Sequence, residues 1–369
     1  ILLNDIGIYD QTLPCRYIGP YVLASELEEH GYEVFVIDWF TRLIDNISYI
    51  ENFINENTIL IGISSTLLAL PMEYDKPGKL YRSYRSGNYH KGYLWLKEPE
   101  ELNNWTSTLK KKLIAKNKKA KLILGGAKTP FIWSRSKSKH YQKAYENFDY
   151  ITIGAADGLI LDIAQSIKQQ YSLNTVKKNN LNFIKSGYFL NEKECPKTSW
   201  SKNFGVLNKE SLPIEISRGC AFNCKFCNYE KRLANIKDVN LLKEELIENY
   251  QKYGTTVYNF ADDCFNDNRK KVNEICSMFL SLPFKIEWIT YARIDLAVKF
   301  PETFDIMEWV IQGVLPLTAA LTTEPPLNST LINHHAIWKS FMEELIYEIS
   351  INLQNVIFAC FGKQAVSRC

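Results

Sequence analysis

Strand-like apolar runs alternate with amphipathic helical runs along the first half of the chain, and this alternation restricts the fold more than any other feature. Short apolar runs bounded by polar residues or glycine are typical of buried strands. Strands that alternate with helices predict right-handed βαβ units and a parallel sheet. The strand-like runs are residues 1–5, 32–38, 58–64, 121–126 and 150–154, and the helical runs are 19–30, 102–116 and 159–167.

Glycines stand where two of these strand-like runs end. Gly125 and Gly126 close one run, and Gly154 closes the next. In parallel sheets ligands bind at the carboxyl ends of the strands, and glycine there lets the backbone approach a ligand or an adjoining domain closely. The same glycines would also suit tight turns without a ligand, so both interpretations stay open.

A second alternation of the same kind begins at residue 213. Strand-like runs at 213–217, 256–261 and 285–291 are separated by helical runs. The three strands would therefore end at a cysteine-rich loop, at Asp262–Asp263 and at Arg293. Because barrel folds keep their sites at the carboxyl ends of the strands, these groups are expected on one face of a (βα) barrel.

The cysteine-rich loop places Cys220, Cys224 and Cys227 in a C-x3-C-x2-C spacing directly after the first of those strands. Three thiolates on one short loop can face a common centre, and soft thiolate ligands suit zinc or an iron–sulfur cluster. Zinc would need a fourth protein ligand and usually takes C-x2-C pairs from two places, whereas this sequence has no second pair. A [4Fe–4S] cluster held by three cysteines leaves one iron open to a small molecule. A zinc knuckle and incidental thiols remain the alternatives.

The spacing, with the aromatic Phe226 before the last cysteine, resembles that of the radical S-adenosylmethionine (SAM) superfamily. The resemblance implies that Cys220, Cys224 and Cys227 ligate a [4Fe–4S] cluster and that SAM binds at its open iron. It also implies that SAM is cleaved reductively to a 5′-deoxyadenosyl radical. The electron would come from an external donor such as flavodoxin or ferredoxin.

The resemblance extends to the end of the second strand. Residues 260–266, FADDCFN, are similar to the corresponding segment of cobalamin-type radical SAM proteins. In the superfamily this strand end hydrogen-bonds the SAM amino group, and Asp262 or Asp263 would do so here, because a carboxylate suits an ammonium donor. Without a cofactor, either aspartate could instead cap the following helix.

The end of the third strand, YARIDL at residues 291–296, is similar to the same group of proteins. The resemblance implies that Arg293 pairs with the SAM carboxylate or a hydroxyl, since guanidinium binds carboxylate bidentately. It also implies that Phe226 lies by the adenine. A surface ion pair between Arg293 and Asp295 is the alternative.

A parallel sheet placed before such a cysteine motif resembles the cobalamin-binding domain of many radical SAM proteins. The expected fold class is therefore α/β, with an N-terminal Rossmann-like parallel sheet of the cobalamin-binding type followed by a partial radical SAM barrel. The histidine signature D-x-H-x-x-G is absent, although some family members bind cobalamin without a histidine ligand. Cobalamin is thus a candidate cofactor, and methyl transfer to a small-molecule or peptide substrate is the commonest reaction that this resemblance implies.

Four segments are expected along the chain. They are a Rossmann-like domain at 1–170, a linker at 171–212, the first three βα units of the radical SAM core at 213–309 and an atypical segment at 310–369. From residue 310 on, prolines and threonines replace the strand–helix alternation, so the barrel is expected to be incomplete. The alternative function is accordingly a non-catalytic or degenerate iron–sulfur or zinc module.

Composition bears on partners and location. A net charge of +3 over 369 residues gives no case for nucleic acid. No apolar run reaches the ~18 residues needed to span a bilayer, and no signal peptide is recognisable. Nine cysteines without a regular framework favour a reducing cytoplasmic location over disulfides. Because the sequence starts at Ile1 rather than methionine, a fragment at the N-terminus is expected.

Overall fold

The structure is a computed structural model that describes residues 1–3, 6–9, 13–38, 45–65, 99–126, 128–186, 195–222, 232–293, 296, 299–300 and 347. The strands are β1 (Leu2–Leu3), β2 (Ile6–Tyr9), β3 (Leu13–Arg16), β4 (Val36–Ile37), β5 (Leu60–Ser64), β6 (Lys121–Gly125), β7 (Tyr150–Ile153), β8 (Val176–Lys178), β9 (Leu181–Lys185), β10 (Leu212–Glu215), β11 (Ser217–Cys220), β12 (Arg232–Ile236), β13 (Val257–Ala261) and β14 (Glu287–Ile289). The helices are α1 (Ile18–Glu29), α2 (Asn46–Glu51), α3 (Pro99–Lys116), α4 (Thr129–Ser134), α5 (Lys139–Tyr145), α6 (Leu159–Gln169), α7 (Val239–Tyr253) and α8 (Arg269–Leu280).

The N-terminal part of the chain forms a seven-stranded sheet in the order β4-β1-β5-β6-β7-β9-β8. Every pairing in it is parallel except that of β8 with β9. The first five parallel strands follow the doubly wound order 2-1-3-4-5, which arises when right-handed crossovers place helices on both faces. The prediction of an α/β fold built on a parallel sheet is confirmed.

Alternating side chains of β6 show why helices cover both faces of this sheet. Ile123 belongs to one buried cluster, which includes residues of α1 and α6, whereas Leu122 and Leu124 belong to a second cluster beneath α3 and α5. Successive strand side chains point to opposite faces. A continuous apolar run is therefore what a strand buried on both faces requires.

The second sheet contains β10, β13 and β14, all parallel. Helices α7 and α8 lie in the two connections, as the sequence alternation predicted. Asp238 caps α7 by accepting from the amides of Asn240 and Leu241, and Gly254 ends it at φ 66°. The fourth and later strands that a barrel would need fall outside the described residues, so the partial barrel stays a prediction.

Part of the segment expected to be a linker belongs to the first sheet. β8 and β9 lie within residues 171–212, where β9 pairs with β7 and β8 pairs with β9. Further along, Trp200 and Phe204 pack on Tyr21 of α1, with ring centroids 4.6 and 5.2 Å from the Tyr21 ring. The domain boundaries themselves remain predictions.

Arg16, at the end of β3, joins the same segment to the first sheet. Its guanidinium donates to Glu210 at 2.6 Å, Asp38 at 2.7 Å and the Phe204 carbonyl at 2.8 Å. Arg16 is 9% exposed, so these are buried, charge-assisted bonds. The two sheets are therefore held together by a charged contact as well as by apolar packing.

Candidate functional site

The cysteine-rich loop leaves the second sheet through a hairpin. β11 and β12 pair antiparallel, with Ser217 opposite Ile236 and Cys220 opposite Arg232, and the register shifts between Arg218 and Cys220. Gly219 sits in that shift at φ 92°, a backbone conformation that L side chains rarely adopt. The hairpin therefore closes the loop just beyond the carboxyl end of β10.

One of the three predicted cluster ligands is described. Cys220 is a partly buried cysteine at the end of β11. Cys224 and Cys227, and Phe226 with them, lie outside the described residues. Within the described part of the chain no three His, Cys, Asp or Glu side chains converge on a metal site, and that part holds only one of the predicted thiolates.

Asp262, at the end of β13, is committed to a buried lysine. Lys271 of α8 and Asp262 are both 0% exposed in their side chains and approach to 3.1 Å. Asp262 also accepts from the Cys264 amide at 2.8 Å. Burial raises the pKa of Asp262 more strongly than the charge of Lys271 lowers it. Asp262 is therefore part of a buried ion pair, while its neighbour Asp263 is exposed to solvent.

Lys271 also binds three other groups around the loop. Its ammonium lies 2.7 Å from Asp267 and donates to the Cys264 carbonyl at 2.9 Å and to Ser217 at 3.4 Å. Burial alone would lower the pKa of Lys271, but Asp262 and Asp267 outweigh burial and raise it. The lysine is therefore a fixed positive charge beneath the cysteine-rich loop.

Asp267 connects this ion cluster to the cysteine loop itself. Its second carboxylate oxygen accepts from the Ala221 amide at 3.1 Å, one residue after Cys220. Neither Asp262 nor Asp263 caps α8, because Asn268 does so by accepting from the amides of Lys270 and Lys271. The alternative in which Asp262 or Asp263 caps the helix after β13 is therefore wrong.

Arg293, after β14, lies on the cysteine loop. Its guanidinium carbon is 4.1 Å from the ring centroid of Phe222, a cation–π contact. The Asn266 side chain accepts from the Arg293 amide at 2.7 Å and donates to the Arg293 carbonyl at 2.8 Å. These contacts bring the cysteine-rich loop to the ends of β13 and β14, the side of the second sheet where the strand order predicted it. Asp295, the alternative partner of Arg293, falls outside the described residues.

Cys264 is a second thiol near Cys220. It is 3% exposed and donates to Asn266 at 3.4 Å. Burial, followed by the nearby Cys220, raises the pKa of Cys264 to about 12. A thiol held protonated in this way is a poor metal ligand, since metals bind the thiolate.

The glycines of the first sheet are explained largely by neighbouring strands. A Cβ on Gly125 would meet the Thr152 hydroxyl at 2.9 Å. At Gly126, where φ is 97°, it would meet two serine hydroxyls at 3.2 Å, and at Gly154, where φ is 95°, the Ser186 Cβ at 3.2 Å. These contacts account for all three glycines without a ligand, so a binding role for them is still a prediction.

A charged contact joins this edge of the first sheet to the cysteine loop. Arg218 donates to Glu215 at 2.6 and 2.9 Å and to Asp157, in the loop after β7, at 2.9 Å. Burial alone would lower the pKa of Arg218, but its bonds to Glu215 and Asp157 raise it. The sequence analysis did not single out Arg218, Asp157, Asp267 or Lys271, because each depends on contacts between strand ends that no local pattern reveals.

No family model matches the chain. It is 27% identical over 135 residues to the bacteriochlorophyllide d C-8(2)-methyltransferase of Chlorobaculum tepidum, a stretch that covers 36% of this chain and 28% of that enzyme. It is also 37% identical over 76 residues to the uracil-DNA glycosylase of Campylobacter concisus and 38% identical over 75 residues to that of Borreliella burgdorferi. These stretches cover 20% of this chain and 31% and 32% of the glycosylases.

The chain therefore spans about a third or less of the length of the curated relatives it matches. The similarity to a methyltransferase is partial and distant, and it gives only weak support for enzymatic activity. Among the described residues, no helix combines the length and apolarity that a membrane crossing requires.

Proposed function

We propose that this chain derives from a radical SAM enzyme in which Cys220, Cys224 and Cys227 hold a [4Fe–4S] cluster. The observation that carries the proposal is the position of Cys220. It lies on a hairpin beyond the carboxyl end of a parallel strand, against the ends of the next two strands. Sites in βα folds are built at that end. The partial similarity to a methyltransferase agrees with the reaction class that the cobalamin-type resemblance implies.

The described residues fit a thiolate-held cluster. Cys220 is partly buried, and the guanidinium of Arg293 on Phe222 places positive charge at its loop. Positive charge near thiols favours the thiolate form that binds metal. When bound, the cluster would pass to SAM the electron that cleaves it. An external flavodoxin or ferredoxin would reduce the cluster beforehand.

The roles of the remaining residues follow from their exposure. Asp263 is the candidate for the SAM amino group, because it is exposed while Asp262 is bound to Lys271. Arg293, partly buried on Phe222, is the candidate for the SAM carboxylate. Phe226 would lie by the adenine, and Gly125, Gly126 and Gly154 mark the edge where cobalamin would bind.

Anaerobic metal analysis tests the proposal. Protein reconstituted without oxygen should contain iron and sulfide, and dithionite should give the EPR signal of a reduced [4Fe–4S] cluster that changes when SAM is added. Cys224→Ala should abolish the signal. Cys276→Ala, which alters a buried thiol on α8, is the matched control and should keep it. Iron-free protein that binds one zinc would instead support the zinc module.

The glycosylase similarity supports a different origin for part of the chain. The methyltransferase-like stretch of 135 residues and the glycosylase-like stretch of 76 residues fit side by side within 369 residues. Because the radical SAM pattern is predicted to stop near residue 310, we propose that the glycosylase-like stretch begins shortly before residue 310 and includes the C-terminal segment. Uracil excision is therefore the second candidate function.

An excision assay separates the two functions. The chain spans about a third of the glycosylases' length, and failure to release uracil from a uracil-containing single-stranded oligonucleotide would exclude the second function. Release would establish the second function. Translation of the coding DNA in its other two frames beyond the codon for Trp309 is a further check. A strand–helix repeat there would indicate a frame shift in place of a joined glycosylase segment.

A further inference from the structure

We propose that Arg218 is a positioning residue through which the loop after β7 sets the geometry of the first cluster cysteine. The inference rests on the proposed function, because it assigns Cys220 to a cluster. The loop is defined here as residues 154–158, between β7 and α6. It belongs to the first sheet, whereas Arg218 and Cys220 belong to the hairpin that leaves the second sheet.

The guanidinium of Arg218 is held from two sides. Glu215 accepts from Nε at 2.6 Å and from Nη2 at 2.9 Å. Asp157 accepts from the same Nη2 at 2.9 Å. The side chains of Arg218, Asp157 and Glu215 are only 10%, 15% and 11% exposed. At such burial an arginine–carboxylate pair is weakly screened and geometrically specific. A shift of Asp157 would therefore move Arg218.

Movement of Arg218 would be transmitted to Cys220 over a short path. Only Gly219 separates them, and the strand register shifts at this point. Gly219, at φ 92°, has no side chain of its own to anchor the turn. The Arg218 side chain is thus the anchor nearest to Cys220 on its N-terminal side, while the bond from Asp267 to the Ala221 amide holds the other side.

The loop itself is fixed at its far end by α1. Both carboxylate oxygens of Glu26 accept from the Gly158 amide, at 2.7 and 2.9 Å. The loop is therefore tied to α1 through Gly158 and to the hairpin through Asp157. A ligand that displaced this loop at the carboxyl edge of the first sheet would therefore act on Cys220 through the contact between Asp157 and Arg218.

One donor of Arg218 is not used within the described part of the chain. Its Nη1 is buried there without a hydrogen-bond partner. A buried donor left unpaired costs ~1–3 kcal/mol, and a native structure rarely keeps one without reason. Arg218 therefore keeps one buried donor that neither Glu215 nor Asp157 uses.

Two variants of Asp157 and one control test the inference. Asp157→Asn removes the charge with almost no change of shape, and Asp157→Glu keeps the charge. Asp149→Asn is the matched control, because Asp149 forms a partly buried ion pair with Lys110 at 3.0 Å but lies just before β7, at its opposite end. Hydrogen–deuterium exchange of residues 217–222 is measured with and without iron, and EPR is recorded on the reduced, reconstituted protein.

We expect Asp157→Asn to speed exchange in residues 217–222 by about tenfold, as for loss of one charge-assisted bond, and to change the g-values of the cluster. Asp149→Asn should retain the wild-type exchange and g-values, and Asp157→Glu should restore them in large part. Equal exchange in Asp157→Asn and Asp149→Asn overturns the inference. Iron-free wild-type protein would overturn the proposed function instead, and the exchange of the apoprotein still decides the role of Arg218.

Discussion

Replacement of Lys271 by methionine should be among the most damaging single changes near the candidate site. The side chains of Lys271, Asp262 and Asp267 are all 0% exposed, and the two carboxylates lie 3.1 and 2.7 Å from the ammonium. Removing one partner of a buried ion pair costs ~3–5 kcal/mol, because the other charge is left uncompensated. Lys271→Met leaves two such charges, so we expect the free energy of unfolding to fall by at least that amount at about pH 8.

The loss should depend on pH in a defined direction. Burial already raises the pKa of Asp262, and without Lys271 that pKa should rise further. A carboxyl group whose pKa is higher in the folded state takes up a proton on folding, which favours the folded state at low pH. This stability is lost as pH rises from the unfolded value of 3.8 through the folded value, so Lys271→Met should be less damaging at about pH 5.

Urea unfolding of three variants provides the measurement. Lys270→Met is the matched control, because Lys270 is 78% exposed and only 3.6 Å from Glu274, an exposed pair worth ~0–1 kcal/mol. Adding Asp262→Asn to Lys271→Met removes one unpaired charge and should recover part of the loss. Equal midpoints for Lys271→Met and Lys270→Met at about pH 8 would refute the argument.

Three further predictions concern other parts of the chain. Arg16→Met should lower the free energy of unfolding by ~3–5 kcal/mol by stranding Asp38 and Glu210, and a loss below ~1 kcal/mol by urea unfolding would contradict this. Gly154→Ala should lower the thermal midpoint, because φ is 95° and its Cβ would meet Ser186 at 3.2 Å, whereas Gly19→Ala, with nothing within 4 Å, should not. Asp263→Ala should weaken SAM binding by about tenfold in equilibrium dialysis, as for loss of one charge-assisted hydrogen bond, while unchanged affinity would count against the enzyme.

The sequence predicted most of the regular elements because their apolar periodicity is strong. α3 was expected at 102–116 and spans Pro99–Lys116, and β6 was expected at 121–126 and spans Lys121–Gly125. The β2–β3 and β11–β12 hairpins were not predicted. β3 contains Pro14 and β11 contains Gly219, and because both residue types are depleted in strands, composition does not mark these hairpins.

The candidate site was predictable only in part for a different reason. The carboxyl ends of β10, β13 and β14 do meet, because parallel strands with helical crossovers leave no other arrangement. What each side chain does there depends on long-range partners. Asp262 and Asp263 were equivalent candidates in sequence, and only the position of Lys271 distinguishes the buried one from the exposed one.

The shared apolar core has a consequence for how this chain melts and how it can be divided. One buried cluster includes Tyr21 of α1, Ile163 of α6, Trp200, Ile214 of β10 and Trp288 of β14. A cut between the two sheets would expose aromatic surface on both sides of the break. Heat should therefore unfold the two sheets in one cooperative transition, and fragments expressed separately should aggregate where the intact chain does not.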